Sequence, residues 1–172
     1  MDLTVVIPAF DEAESIGPVL ERLCDHLQSI EELRGSFEVL VVDDGSTDGT
    51  GDIARRASSL VTLLRHPYNL GNGAAVKTGI RNARGRVCVF MDADGQHDPK
   101  LIPKFIDLAN DGFSLVIGSR FVSGGSTPDF SYWRKFLSIS GNFLIRHLGK
   151  AKSVQDCTSG FRCIKTNLVL KC

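Results

Sequence analysis

Val87-Cys88-Val89-Phe90-Met91-Asp92-Ala93-Asp94 runs from five consecutive apolar residues straight into two carboxylates separated by one alanine. A run this short, bounded by charge, reads as a strand buried on both faces. Upstream, Leu3-Thr4-Val5-Val6-Ile7 stops at Pro8, and Phe37 to Val42 leads into Asp43-Asp44-Gly45-Ser46-Thr47-Asp48-Gly49, so the unit of strand then polar turn recurs. Between those strands Ile16, Val19, Leu20, Leu23, Leu27 and Ile30 fall at helical spacing, with Asp11 and Glu14 as an entry capping pair. The pattern predicts further helices over 52–58, 74–83 and 99–110, the last opening on Pro99, and further strands at 61–64 and 115–117.

Strands alternating with helices predict an α/β fold, a parallel central sheet with helices on both faces, because parallel neighbours need crossover connections. Ligands of such sheets gather at the carboxyl ends of the strands. Asp11-Glu12, Asp43-Asp44, Asp92 to Asp94 and Arg120 all fall at those ends, and this agreement of position outweighs any single motif.

The chain has 172 residues, 42% hydrophobic and 23% charged, which suits one globular domain over 1–172. Lys+Arg and Asp+Glu number 20 each, so no net field draws in nucleic acid, and no nucleic-acid partner is expected. Cys24, Cys88, Cys157, Cys163 and Cys172 form no C-x-x-C pair and no zinc-ligand spacing, which predicts a reduced, cytosol-facing protein. The N-terminus lacks a signal-peptide pattern, and no apolar run reaches spanning length. Membrane contact is therefore expected to be peripheral or made elsewhere. The segment 122–128, rich in Gly and Ser, reads as a lid, and a helical pattern over 132–148 carries Trp133 and Phe136 among Arg134, Lys135 and Arg146.

Asp92 and Asp94, with Gln96, offer oxygen ligands to one hard cation, Mg²⁺ or Mn²⁺, of the kind that bridges carboxylates to substrate phosphates. The alternative, a solvated acidic turn, is weakened by the strand that precedes it. A calcium loop is excluded because Gly95 falls at its fourth position and Pro103 at its twelfth, and the similar Asp44-x-Ser46-x-Asp48 pattern ends on Arg55. Gly49-Thr50-Gly51-Asp52-Ile53-Ala54 fits a dinucleotide fingerprint, but it stands beyond the tight turn after Val42, and Arg65-His66 follows the next strand where an acidic residue belongs. Gly71-Asn72-Gly73 at a helix entry could present amides to phosphate, with Lys77 one turn later toward the same cleft.

Six stretches in order, Val6 to Glu12, Val41 to Thr50, Asn69-Leu70-Gly71, Asp92 to His97, Gly118 to Phe121 and Asp156 to Arg162, resemble family 2 glycosyltransferases of the GT-A fold. Within them the chain is most similar to the dolichyl-phosphate mannose synthase and polyprenyl-phosphate glycosyltransferase branch. The resemblance implies the Rossmann-like, mostly parallel version of the central sheet. It implies a nucleotide-sugar pocket from Pro8, Phe10, Glu12, Val42, Asp44, Asp92, Ala93 and Asp94, and a metal and diphosphate site from Asp92, Asp94 and Gln96. Phe10 keeps an aromatic face where many relatives carry Tyr. It implies that Arg120, Arg134 and Ser138 hold the acceptor's lipid phosphate. The expected reaction is inverting transfer of a hexose from GDP-mannose or a UDP-sugar to polyprenyl or dolichyl phosphate at the cytosolic face of a membrane. A hydroxyl acceptor would need a base, with Asp156 the nearest candidate; a non-catalytic nucleotide-sugar-binding domain is the other alternative, since relatives continue beyond Cys172 with C-terminal elements expected to be missing here.

Overall fold

In a computed structural model, residues 1–119 and 159–169 are described. Six strands form one sheet in the order β3-β2-β1-β4-β6-β5. β1 (Leu3–Ala9), β2 (Phe37–Asp43), β3 (Val61–Arg65) and β4 (Val87–Phe90) are mutually parallel. β6 (Arg162–Lys165) runs antiparallel between β4 and β5 (Leu115–Ile117).

Four helices cover the sheet: α1 (Ile16–Ser29), α2 (Thr50–Ala57), α3 (Asn72–Asn82) and α4 (Ile102–Asn110), with one further turn at Thr166–Val169. Alternation within each strand decides which face each helix covers. Leu3, Val5, Ile7, Val39, Val41, Val87 and Val89 point toward α1 and α4, where Ile16, Leu20, Leu23, Leu27, Ile102 and Phe105 complete the larger core. Val6, Leu40, Val42, Cys88 and Phe90 point the other way, onto Ala75 of α3 and its neighbours Val76 and Ile80. Gly79 lets α3 lie close to β1, since a β-carbon there would stand 2.3 Å from Val6 Cγ1.

At the amino end of the sheet the face toward α3 turns polar and remains satisfied. Thr4 Oγ1 donates to Glu38 Oε1 at 2.8 Å and accepts from the Gly85 amide at 2.8 Å, while Arg84 donates to Glu38 through its amide and its Nε. Both Thr4 and Glu38 are buried, and each buried oxygen has a donor.

Several expectations need correction. Asp11 and Glu14 do not cap α1: Asp11 Oδ1 accepts from the Thr47 amide, and Ser15 precedes the helix with its hydroxyl donating to Glu12 Oε2 at 2.6 Å. The Pro99 helix begins as a 3₁₀ turn over Pro99–Leu101, with Asp98 accepting from the Lys100 amide. β6 and the turn after it were not anticipated. The loop 122–128 and the helical pattern 132–148 lie outside the described residues.

Candidate active site

The loops after β1 and β2 are stitched together. The Asp11 amide donates to Ser46 Oγ at 3.0 Å, the Glu12 amide to Thr50 Oγ1 at 2.8 Å and the Ala13 amide to Asp48 Oδ2 at 2.9 Å. Asp11 itself sits at φ 52°, a left-handed conformation that this stitching holds in place. Hydrogen bonding from the Thr50 hydroxyl, followed by the amides of Thr50 and Ala13, keeps the Asp48 carboxyl below its ordinary range despite some desolvation. Ser46 and Asp48 are thus occupied in joining loops, which accounts for the calcium-like spacing without a cation. Gly51 likewise packs on the buried Asp43 carboxylate, with 2.4 Å to Oδ2 from a hypothetical β-carbon, so the dinucleotide-like glycines serve a turn and a helix entry.

Asp44 is buried and receives three donors. His66 Nδ1 lies 2.6 Å from Oδ1, the Leu70 amide 3.0 Å from the same oxygen, and the Gly71 amide 2.8 Å from Oδ2. Burial opposes its ionisation, but the His66 hydrogen bond and the two amides outweigh that cost and hold the carboxyl below its ordinary value of 3.8. His66 Nε2 is in turn 2.8 Å from Thr78 Oγ1 on α3. This chain of contacts fixes the loop between β3 and α3 against the end of β2.

The acidic corner after β4 is fixed from three sides. The Asp92 amide donates to His97 Nδ1 at 3.1 Å, so a neutral ring carries its proton on Nε2, 3.6 Å from Asp92 Oδ2. The His97 ring stacks on Phe161 with centroids 4.8 Å apart, and Arg22 donates to the carbonyls of Gly95 and His97 at 3.1 Å each. Gly160 lies against the Asp92 carboxylate: a β-carbon there would stand 2.3 Å from Oδ2. The Gln96 amide donates to Asp94 Oδ1 at 3.0 Å, leaving the Asp94 side chain exposed.

These corners enclose a cleft of about 420 Å³. Pro8, Phe10 and Glu12 from the β1 end, Asp44 from β2, Asn69, Gly71 and Asn72 before α3, and Asp92, Ala93 and Asp94 after β4 all line it. Phe10 is 44% exposed, an open aromatic face at the cleft. Val42 is fully buried in the core beneath α3 and adds no side chain to the cleft. Lys77 is exposed on α3, and neither it nor Gln96 lines the cleft. Arg120, Arg134, Ser138 and Asp156 lie outside the described residues. His66, His97 and Gly160 are local contributors that motif reading did not single out for a role, and Asn72, expected only as one of the amides of Gly71-Asn72-Gly73, lines the cleft as well.

Among the described residues no group of three His, Cys, Asp or Glu side chains converges to hold a metal. Asp92 and Asp94 both reach the cleft, and as two oxygen donors they would suit a hard cation that has other ligands besides the protein's.

Residues 4–171 match the family model described as glycosyl transferase family 2. The chain is 34% identical over 173 residues to a dolichol-phosphate mannosyltransferase of Pyrococcus furiosus, covering 98% of this chain and 47% of that protein. It is 36% identical over 157 residues to a dodecaprenyl-phosphate galacturonate synthase of Rhizobium johnstonii, covering 88% of this chain and 44% of that protein. The chain therefore spans about half the length of these two relatives. Among solved structures, glucosyl-3-phosphoglycerate synthase of Mycobacterium tuberculosis in complex with Mn²⁺, UDP and glucosyl-3-phosphoglycerate superposes with a TM-score of 0.73 at 21% identity, covering 97% of this chain and 57% of that one. A mannosyltransferase of Pyrobaculum calidifontis in complex with GDP-Man and Mn²⁺ gives 0.65 at 23% identity, covering 98% and 46%. These likenesses establish the fold.

Proposed function

This chain belongs to glycosyl transferase family 2, and from that membership we propose that it moves a hexose, with inversion, from a nucleotide-diphosphate sugar to a polyprenyl phosphate at the cytosolic face of a membrane. One observation carries the reading: a single cleft brings an open aromatic face, a carboxylate already ionised, and the Asp92–Asp94 pair to one edge of the sheet. Phe10 covers the base, while Asp44, pinned by His66 and two amides, accepts from a base or ribose donor with its remaining lone pair. Asn72, at the start of α3, lines the same cleft and would face the diphosphate.

A divalent cation, Mn²⁺ or Mg²⁺, would be held by Asp92 and Asp94, and when bound it neutralises charge on the departing diphosphate. The chain's own contribution is positional. His97 and Gly160 lie against the Asp92 carboxylate, Arg22 holds the carbonyls of Gly95 and His97 beside it, and the Gln96 amide orients Asp94, so the corner is set before substrate arrives. An oxygen of the acceptor phosphate forms the new bond at the anomeric carbon as the bond to the diphosphate breaks, and its electron pair leaves with the nucleoside diphosphate. A phosphate monoester is already anionic near neutrality, so the step requires no protein base.

The two named relatives, a dolichol-phosphate mannosyltransferase and a dodecaprenyl-phosphate galacturonate synthase, support a polyprenyl phosphate acceptor. No helix among the described residues is long and apolar enough to cross a membrane. The test is transfer of radiolabelled sugar from GDP-mannose and UDP-glucose to a prenyl phosphate with Mn²⁺. Asp94→Ala is expected to lower turnover at least about a hundredfold while leaving the fold intact. Transfer unaffected by that substitution overturns the assignment, and donor binding without transfer to any phosphate or hydroxyl acceptor would make the domain a binder.

A further inference from the structure

Because β6 runs against its neighbours, its first residue rather than its last stands at the ligand edge of the sheet. Arg162 pairs in register with Phe90 and Ile117, at the same end of the sheet as Asp92. Its side chain lines a second cavity of about 370 Å³ that shares Pro8, Asn72 and Asp92 with the donor cleft. The remaining wall is largely apolar, with Val76 and Ile80 from α3 and Leu115 and Ile164 from the strands.

Arg162 is exposed and pairs with no carboxylate among the described residues. Among the described residues lining the two cavities it is the one positive charge, beside Glu12, Asp44, Asp92 and Asp94. A guanidinium at the mouth of an apolar cavity suits an anion that carries a hydrocarbon, because both parts of such a ligand are then matched. A free phosphate or the donor's diphosphate would satisfy the charge and leave the apolar wall unused.

We propose that this second cavity holds the acceptor: Arg162 receives the phosphate of a prenyl phosphate, and Val76, Ile80, Leu115 and Ile164 receive its first isoprene units. The term acceptor rests on the transferase reading above; the ligand chemistry does not. The shared Asp92 sets the bound phosphate next to the donor's diphosphate, with Arg162 offsetting the repulsion between the two anions.

Calorimetric titration of geranyl phosphate and of inorganic phosphate into the wild-type protein, Arg162→Gln, Arg162→Lys and Leu115→Ser tests the site, with each variant's melting curve confirming its fold. Leu115 is 46% exposed, so its replacement leaves the core alone. Arg162→Gln is expected to weaken geranyl phosphate at least about tenfold, with Lys intermediate. Leu115→Ser should weaken geranyl phosphate and leave inorganic phosphate unchanged. In turnover assays, Arg162→Gln should raise KM for the prenyl phosphate and keep KM for the nucleotide sugar within about twofold. Unchanged geranyl phosphate affinity in Arg162→Gln overturns the proposal. So does inorganic phosphate binding as tightly as the prenyl ester, or a loss confined to the nucleotide sugar, which would assign Arg162 to the donor. Geranyl phosphate that binds through Arg162 in a protein that transfers no sugar would support the site and count against the transferase reading alone.

Discussion

Three donors converge on Asp44, and the contact from His66 distinguishes positioning from mere packing. His66→Ala should raise KM for the nucleotide sugar about tenfold with little change in kcat, since a hydrogen bond to a charged group is lost from the ground state and the transition state alike. His66→Asn, which can return an N–H toward Oδ1, should recover much of the loss; steady-state kinetics on the two variants checks both. The depressed pKa of Asp44 also has a thermodynamic sign. Stability from its ionised form is present above its ordinary value of 3.8 and is lost as pH falls through the lower folded value. Asp44→Asn should therefore be less stable than wild type in urea at neutral pH, and the gap should shrink in acid. Gly160→Ala, which pushes a methyl group onto Asp92, should cut turnover with only modest loss of stability, measured by activity and melting on the same sample. At this scale Asp92 and Asp94 were legible because a strand pattern ended on them. His66 was not, because its meaning depends on a partner 22 residues away that only sheet pairing brings near.

α3 shows how an element positions chemistry it does not itself perform. Its Gly79 face rests on Val6, Thr78 meets His66, and its opening residues line both cavities. Gly79→Ala should destabilise the protein by about 1–3 kcal/mol through overpacking against β1, read by chemical denaturation. Leu20→Ala on α1, fully buried in the larger core, should cost about 2–5 kcal/mol. The parallel strands and their helices were readable from apolar runs and helical spacing, with most boundaries off by a residue or two; α4 begins at Ile102, three residues after Pro99, and α1 at Ile16 rather than just after Asp11. β6 was not: Arg162-Cys163-Ile164-Lys165 is too short to show a period, and it becomes a strand only by filling the gap between β4 and β5. The supposed Asp11–Glu14 cap failed for a related reason, since Asp11 found a better donor in Thr47 across the loop.

Across the described residues, two cores of unequal size clamp one sheet, and the loops that follow β1, β2, β3 and β4 at its carboxyl edge are each tied to a neighbour by side-chain hydrogen bonds. A site this organised before ligand arrives should report binding as added stability. A nucleotide sugar with Mn²⁺ at a hundred times its Kd should add about 2.7 kcal/mol, and a chelator should remove most of that gain in a thermal melt. The α/β architecture and the location of the cleft followed from sequence, because both depend on the order of apolar runs and charged turns. The second cavity did not, since it needs the antiparallel insertion to exist. The most direct measurement is anomalous scattering from Mn²⁺ in crystals grown with a nucleoside diphosphate. The account predicts a peak touching Asp94 and the diphosphate, with Phe10 over the base; a diphosphate bound elsewhere, or a manganese peak away from the Asp92–Asp94 corner, would contradict it.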